Sequence, residues 1–142
     1  MKKLTSILLS AIIMLTAVVG FDLTAYAGSY DTTAKAKSYT LGTTTTGYFS
    51  SNDNIDFLKV YVPQSGRIDF TAEGTESYYV YIYPSNATED RVNSYYIDYN
   101  DNLGKAYKKC YAYLVAGTYY FKVDGNYDNS SYTISSSFTP RK

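Results

Sequence analysis

The chain alternates. From residue 39 to residue 138, short runs place an apolar side chain at every second position, and each run is closed by a cluster of Asn, Asp, Ser, Gly or Pro. In Phe57 to Val62, Leu58, Val60 and Val62 share one side and Phe57, Lys59 and Tyr61 the other. A period of two is the signature of a strand with one buried face. No helical period interrupts the pattern. A chain built this way buries its apolar sides only by laying one sheet on another, so an all-β sandwich is predicted.

The same alternation assigns faces along the chain. Ile68 and Phe70 point inward in Arg67 to Thr71, and Tyr78, Val80 and Ile82 in the next run. Cys110, Ala112 and Leu114 follow, then Tyr119, Phe121 and Val123, then Tyr132, Ile134 and Phe138. Tyr39 to Phe49, rich in Thr with glycines at 42 and 47, reads as a short edge strand with bends. Asn93 to Tyr99 is a shorter strand. Pro63-Gln64-Ser65-Gly66 and Ala116-Gly117-Thr118 are tight turns, and each is expected to close a β-hairpin. The count is about eight strands.

Ahead of this pattern stands a targeting segment. Lys2 and Lys3 precede an apolar run from Leu4 to Phe21, and Ala25-Tyr26-Ala27 is a small-residue cleavage site. Residues 1–27 therefore read as a secretory signal peptide, and the mature protein as secreted to the extracellular space. Residues 28–38 read as a flexible leader, 39–138 as one domain, and 139–142 as a tail. With the signal removed, nothing in the sequence calls for a membrane.

Composition removes several function classes. There are 13 basic and 13 acidic residues, which gives none of the basic excess that nucleic acid requires. The sequence holds no histidine. Ser-His-Asp and Cys-His catalysis and the usual zinc sites go with it. Cys110 is the only cysteine, so no internal disulfide forms. It reads as a small buried residue or as one half of a disulfide-linked dimer.

Several segments in order carry a resemblance. They are the acidic turn and strand Asp53 to Val60, the P-x-x-G turn Pro63 to Gly66, the alternating strand Tyr78 to Tyr83, and the aliphatic-x-A-G-T-Y-Y-aliphatic stretch Leu114 to Val123. Together they resemble the bacterial pre-peptidase C-terminal domain, a small secreted β-sandwich related to clostridial collagen-binding modules. The resemblance implies an antiparallel sandwich of jelly-roll type, a bacterial source and a role in binding. Members usually trail a secreted peptidase or another hydrolase. Here only the signal segment precedes the pattern, so no maturation role within one polypeptide is carried over. The middle strand also has tyrosine where the family usually has acidic residues.

Three sets of residues are candidates for chemistry. The first is tyrosine, of which the chain has 19. Tyr61, Tyr79, Tyr81, Tyr83, Tyr111, Tyr113 and Tyr120 fall on outward faces. If their strands share a sheet they build an aromatic platform, since a phenol offers a flat apolar body with a hydroxyl at its edge. The other reading is that these rings pair across strands and only cover the sheet. The second set is the acidic turns, with Asp53 and Asp56 as the best pair. Oxygen-rich loops hold Ca²⁺, and the collagen-binding relatives use calcium, so the resemblance implies it as the one candidate cofactor. Plain turn formation by Asp and Asn is the other reading. The third set is a pair of carboxylates for glycoside hydrolysis. No spacing selects a pair, and acids on exposed turns would keep ordinary pKa values. Asn86-Ala87-Thr88 and Asn129-Ser130-Ser131 match the glycosylation pattern, which a bacterial source leaves unused.

These observations lead to a secreted, non-catalytic binding or adhesion module. It is expected to contact an extracellular polysaccharide or fibrous protein through a tyrosine-lined sheet face. The alternative is an interaction protein that binds a separately encoded secreted protein or hydrolase.

Overall fold

The computed structural model describes residues 30–85 and 90–142. The signal segment 1–27 and the Asn86 sequon fall outside these described residues. After a 3-10 turn at Thr33–Lys35 come ten strands. They are β1 Lys37–Tyr39, β2 Thr44–Phe49, β3 Ile55–Val62, β4 Gly66–Gly74, β5 Tyr78–Pro84, β6 Asn93–Ile97, β7 Tyr99–Asn100, β8 Lys105–Leu114, β9 Gly117–Gly125 and β10 Ser130–Pro140. Two five-stranded sheets result, in the orders β1-β3-β9-β5-β6 and β2-β10-β4-β8-β7. Every pair is antiparallel except β1 with β3.

The sandwich read from the alternation is present, with ten strands in place of eight. The stretch expected as one edge strand divides at Gly42, whose φ of 85° turns the chain, and its halves β1 and β2 edge different sheets. The stretch before Asn100 divides in the same way into β6 and β7. Part of the expected leader is also structured. Lys37–Tyr39 pairs with β3, and the Phe57 amide donates to the Tyr30 carbonyl at 2.7 Å.

The two expected hairpins are not hairpins. β3 lies in the first sheet between β1 and β9, while β4 lies in the second between β10 and β8. Pro63 to Gly66 is thus a corner that carries the chain from one layer to the other. Ala116 to Thr118 is another such corner, between β8 and β9. Short turns with Pro and Gly suit either geometry. Successive strands pair within one sheet only for β5 with β6 and β7 with β8.

Both inner faces carry the predicted residues. Leu58, Val60, Val62, Val80, Ile82, Phe121 and Val123 from the first sheet meet Ile68, Phe70, Ala72, Ala112, Leu114 and Ile134 from the second, all buried. Removing one of the Val, Leu, Ile or Phe side chains from water is worth roughly 1.5–3 kcal/mol. At one end the core becomes aromatic. Phe49 and Tyr132 lie 5.2 Å apart and Tyr78 and Tyr132 6.0 Å apart. Gly47 leaves the space that the Tyr132 ring occupies, and Gly125 does the same for Phe49. The buried phenols keep acceptors: Tyr78 donates to the Glu73 carbonyl at 2.9 Å and Tyr39 to the Thr43 carbonyl at 2.7 Å. At the open side, Tyr95 of β6 donates to the Tyr111 carbonyl of β8 at 2.6 Å and ties the sheets together.

Candidate functional site

The seven outward tyrosines do not form one platform. Tyr61 on β3, Tyr120 on β9, and Tyr79, Tyr81 and Tyr83 on β5 belong to the first sheet. Tyr111 and Tyr113 are on β8 in the second sheet, on the opposite outer face. Alternation tells which side of a strand a residue occupies, and the exchange of layers at each corner then decides where that side looks.

The first sheet brings five of the seven together. Tyr79 and Tyr81 are parallel within 7° at 5.7 Å, and Tyr81 and Tyr83 lie 6.3 Å apart. Tyr83 is the cross-strand partner of Tyr120. Two further rings extend the run. Tyr96 of β6 sits 4.8 Å from Tyr79, and Phe57 of β3 meets Tyr120 edge-on at 6.5 Å. Phe57 was legible as outward, and Tyr96 follows once Ile97, its buried neighbour, sets the phase of β6. The result is a band of six rings crossing β6, β5, β9 and β3. Tyr61 stands at its margin, 67% exposed.

Cations accompany the band. Arg91 lies 5.3 Å and Lys122 5.5 Å from the centre of the Tyr81 ring. Lys122 is also paired with Asp124 at 2.8 Å. Such cation–ring contacts hold a side chain in place and leave N–H donors at the surface. On the opposite face, Arg67 packs 4.6 Å from the Tyr111 ring and 5.9 Å from the Tyr113 ring, and its fork reaches Asp69 at 2.6 Å.

Asp53 and Asp56 do not form an open oxygen cluster. Asp53 Oδ1 accepts the Ile55 amide at 3.2 Å, as a turn carboxylate does. Asp56 lies on the inner side of β3 and is only 4% exposed. Its Oδ2 accepts the Tyr132 phenol at 2.9 Å. Burial pushes its carboxyl up to about 6, the phenol opposes the shift, and Asp53 and Asp31 add to it. The expectation that the turn acids keep ordinary pKa values therefore fails at Asp56, because this acid is in the core. Among the described residues no three of His, Cys, Asp and Glu come together as a metal set. Asp53 Oδ2 is buried and has no hydrogen-bond partner among the described residues.

Cys110 gives no support to a disulfide-linked dimer. Its side chain faces the core, is 5% exposed and has its thiol pushed up to about 11 by burial. A thiolate is needed for exchange, and this one is both disfavoured and shielded.

No family model and no curated protein matches this chain in sequence. Among solved structures it is similar to the pre-peptidase C-terminal domain of a collagenase from Bacillus anthracis. The identity is 20% and the TM-score 0.54, over 71% of this chain and 93% of that one. It is also similar to a periplasmic inhibitor of g-type lysozyme from Aeromonas hydrophila, at 13% identity and a TM-score of 0.45, over 73% and 99%. A third is the K3 adhesin domain of Lys-gingipain from Porphyromonas gingivalis, at 12% and 0.44, over 69% and 72%. The first of these likenesses shows the fold: the resemblance read from the sequence holds at the level of the β-sandwich.

Proposed function

We propose that this chain is a secreted, non-catalytic binding module of the pre-peptidase C-terminal type, and that the outer face of its first sheet contacts an extracellular polymer. One observation carries the reading, the run of rings Tyr96, Tyr79, Tyr81 and Tyr83, with the Tyr120–Phe57 pair set beside it through the pairing of Tyr83 with Tyr120. A strand rises about 3.3 Å per residue, so Tyr79 to Tyr83 alone covers roughly 13 Å. That length suits an extended chain better than a compact small molecule. Tyrosine loses little side-chain freedom on binding and offers both apolar area and a hydroxyl. The cations over Tyr81 add donors for ligand oxygens.

The direct test is co-sedimentation with insoluble probes: cellulose, chitin, xylan, peptidoglycan and collagen fibres. Retention on at least one of them is expected, reduced about tenfold by Tyr81→Ala. Retention that survives both Tyr81→Ala and Tyr120→Ala, in variants that melt normally, removes the band from the site.

A further inference from the structure

The second sheet ends in a groove of about 590 Å³, formed where the corner after β3 meets the ends of β8 and β10. Its apolar lining comes from Leu114, Val115, Pro140 and the ring of Tyr113, and its charged lining from Arg67 and Arg141; no carboxylate lines it. Tyr113 is 68% and Val115 66% exposed, so two large apolar groups face solvent side by side. The walls are fixed. β10 pairs with β4 to its last residue, Pro140 opposite Gly66, and the Arg141 amide donates to the Ser65 carbonyl at 2.8 Å. Arg67 Nε and Nη2 both donate to Asp69 Oδ1, at 3.0 and 2.6 Å. A guanidinium has five N–H donors, so this fork keeps others for a second anion. Arg141 makes no ion pair among the described residues.

An apolar trough with two guanidiniums at its rim selects an anion attached to an apolar body. Tyrosine and arginine are also the side chains that dominate protein interfaces. We propose that this groove docks an extended peptide segment of a partner protein, in which an Asp or Glu stands beside an apolar side chain. The apolar group rests on Val115, Pro140 and the Tyr113 ring, and the carboxylate takes the free donors of Arg67 or Arg141 as a charge-assisted pair. An acidic sugar satisfies the charge but presses hydroxyls against aliphatic walls that offer them no hydrogen bond. The peptide is therefore the better occupant. The groove lies on the side of the sandwich away from the tyrosine band, so this inference stands apart from the proposed function.

The test is selection of phage-displayed random decapeptides on the whole chain, followed by fluorescence anisotropy with the enriched peptide. Expected are sequences that join an acidic to an apolar residue, and binding weakened at least tenfold by Tyr113→Ala and by Arg141→Ala. Tyr81→Ala, on the other face, should leave that binding unchanged. Enriched peptides without acidic residues, or binding indifferent to both groove variants, overturn the proposal. So does trigalacturonate, if it shifts the amides of Tyr113, Val115 and Arg141 where the peptides do not. A result of that kind leaves the tyrosine band of the first sheet untouched.

Discussion

The phenol of Tyr132 donates to the carboxylate of Asp56 over 2.9 Å, and the two residues belong to different sheets. This hydrogen bond therefore spans the interior. Its acceptor is a carboxyl with little water around it, so the charged form is costly and the group titrates at about 6 instead of 3.8.

A pH dependence with a definite sign follows. Between about 3.8 and 6 the folded chain holds a proton on Asp56 that the unfolded chain has lost. Stability must then fall as pH rises through that window. Two pH units at about 1.4 kcal/mol each amount to roughly 3 kcal/mol, fully present below pH 3.8 and gone above 6. Urea melts of wild type and Asp56→Asn at pH 4 and pH 7 isolate this contribution. The wild type should lose stability relative to the variant on going to pH 7. A constant difference between the two proteins would place Asp56 in water.

Tyr132→Phe removes the donor and leaves the acid in place. At pH 7 the carboxylate then lacks its charged hydrogen bond, a loss of about 1.5–3 kcal/mol. At pH 4 the acid is neutral and the loss should be smaller. Because the phenol holds the Asp56 pKa down, its removal moves the midpoint higher still. Carboxyl chemical shifts followed by NMR over pH 4 to 8 give that midpoint, and a downward move would contradict the assignment.

Gly47 is the cross-strand partner of Tyr132 on β2, and the ring lies directly over its Cα. A Cβ there overlaps Tyr132 Cε1, Cζ and the hydroxyl. The ring is boxed in by Phe49 and Tyr78 and cannot step aside. Gly47→Ala is expected to cost about 1–3 kcal/mol as overpacking. Thermal melting at pH 4 tests it, since Asp56 is neutral there. An unchanged midpoint would mean the ring has another place to go.

The period of two read Tyr132 inward but missed its partner. Asp56 was read as part of the acidic turn, although β3 starts at Ile55 and the phase of Leu58, Val60 and Val62 carried one step back puts Asp56 inside. What alternation does not encode is sheet membership. A strand that hides one side looks the same in either layer, and Pro63 to Gly66 reads the same whether it closes a hairpin or rounds a corner. The tyrosine faces were thus legible one strand at a time, while their division between two opposite surfaces depended on pairings with distant partners, such as β9 with both β3 and β5. The groove at the end of β8 was illegible for the same reason, since Arg67, Tyr113 and Arg141 meet only through those pairings.

Cys110 separates a core thiol from a reactive one. With its pKa near 11 and its side chain inside, it should stay unmodified by a thiol reagent at pH 8 and react at once in denaturant. Non-reducing electrophoresis is expected to show monomer. Prompt labelling of the native protein, or a dimer band abolished by reductant, would mean that β8 opens far more readily than its packing implies.

The two tyrosine faces can be tested against each other. Tyr81 is in the six-ring band of the first sheet, and Tyr111 is on the second, packed against Arg67. Neither side chain belongs to the core, so alanine at either position should leave the melting midpoint nearly unchanged. An aromatic contact of about 1.4 kcal/mol corresponds to a tenfold change in affinity. On whichever fibre or polysaccharide retains the wild type, Tyr81→Ala should bind about tenfold more weakly and Tyr111→Ala as well as the wild type. The opposite ranking would move the polymer site to the second sheet, where Tyr113 and Arg67 would share it and the peptide groove beside them would have to compete for the same side chains.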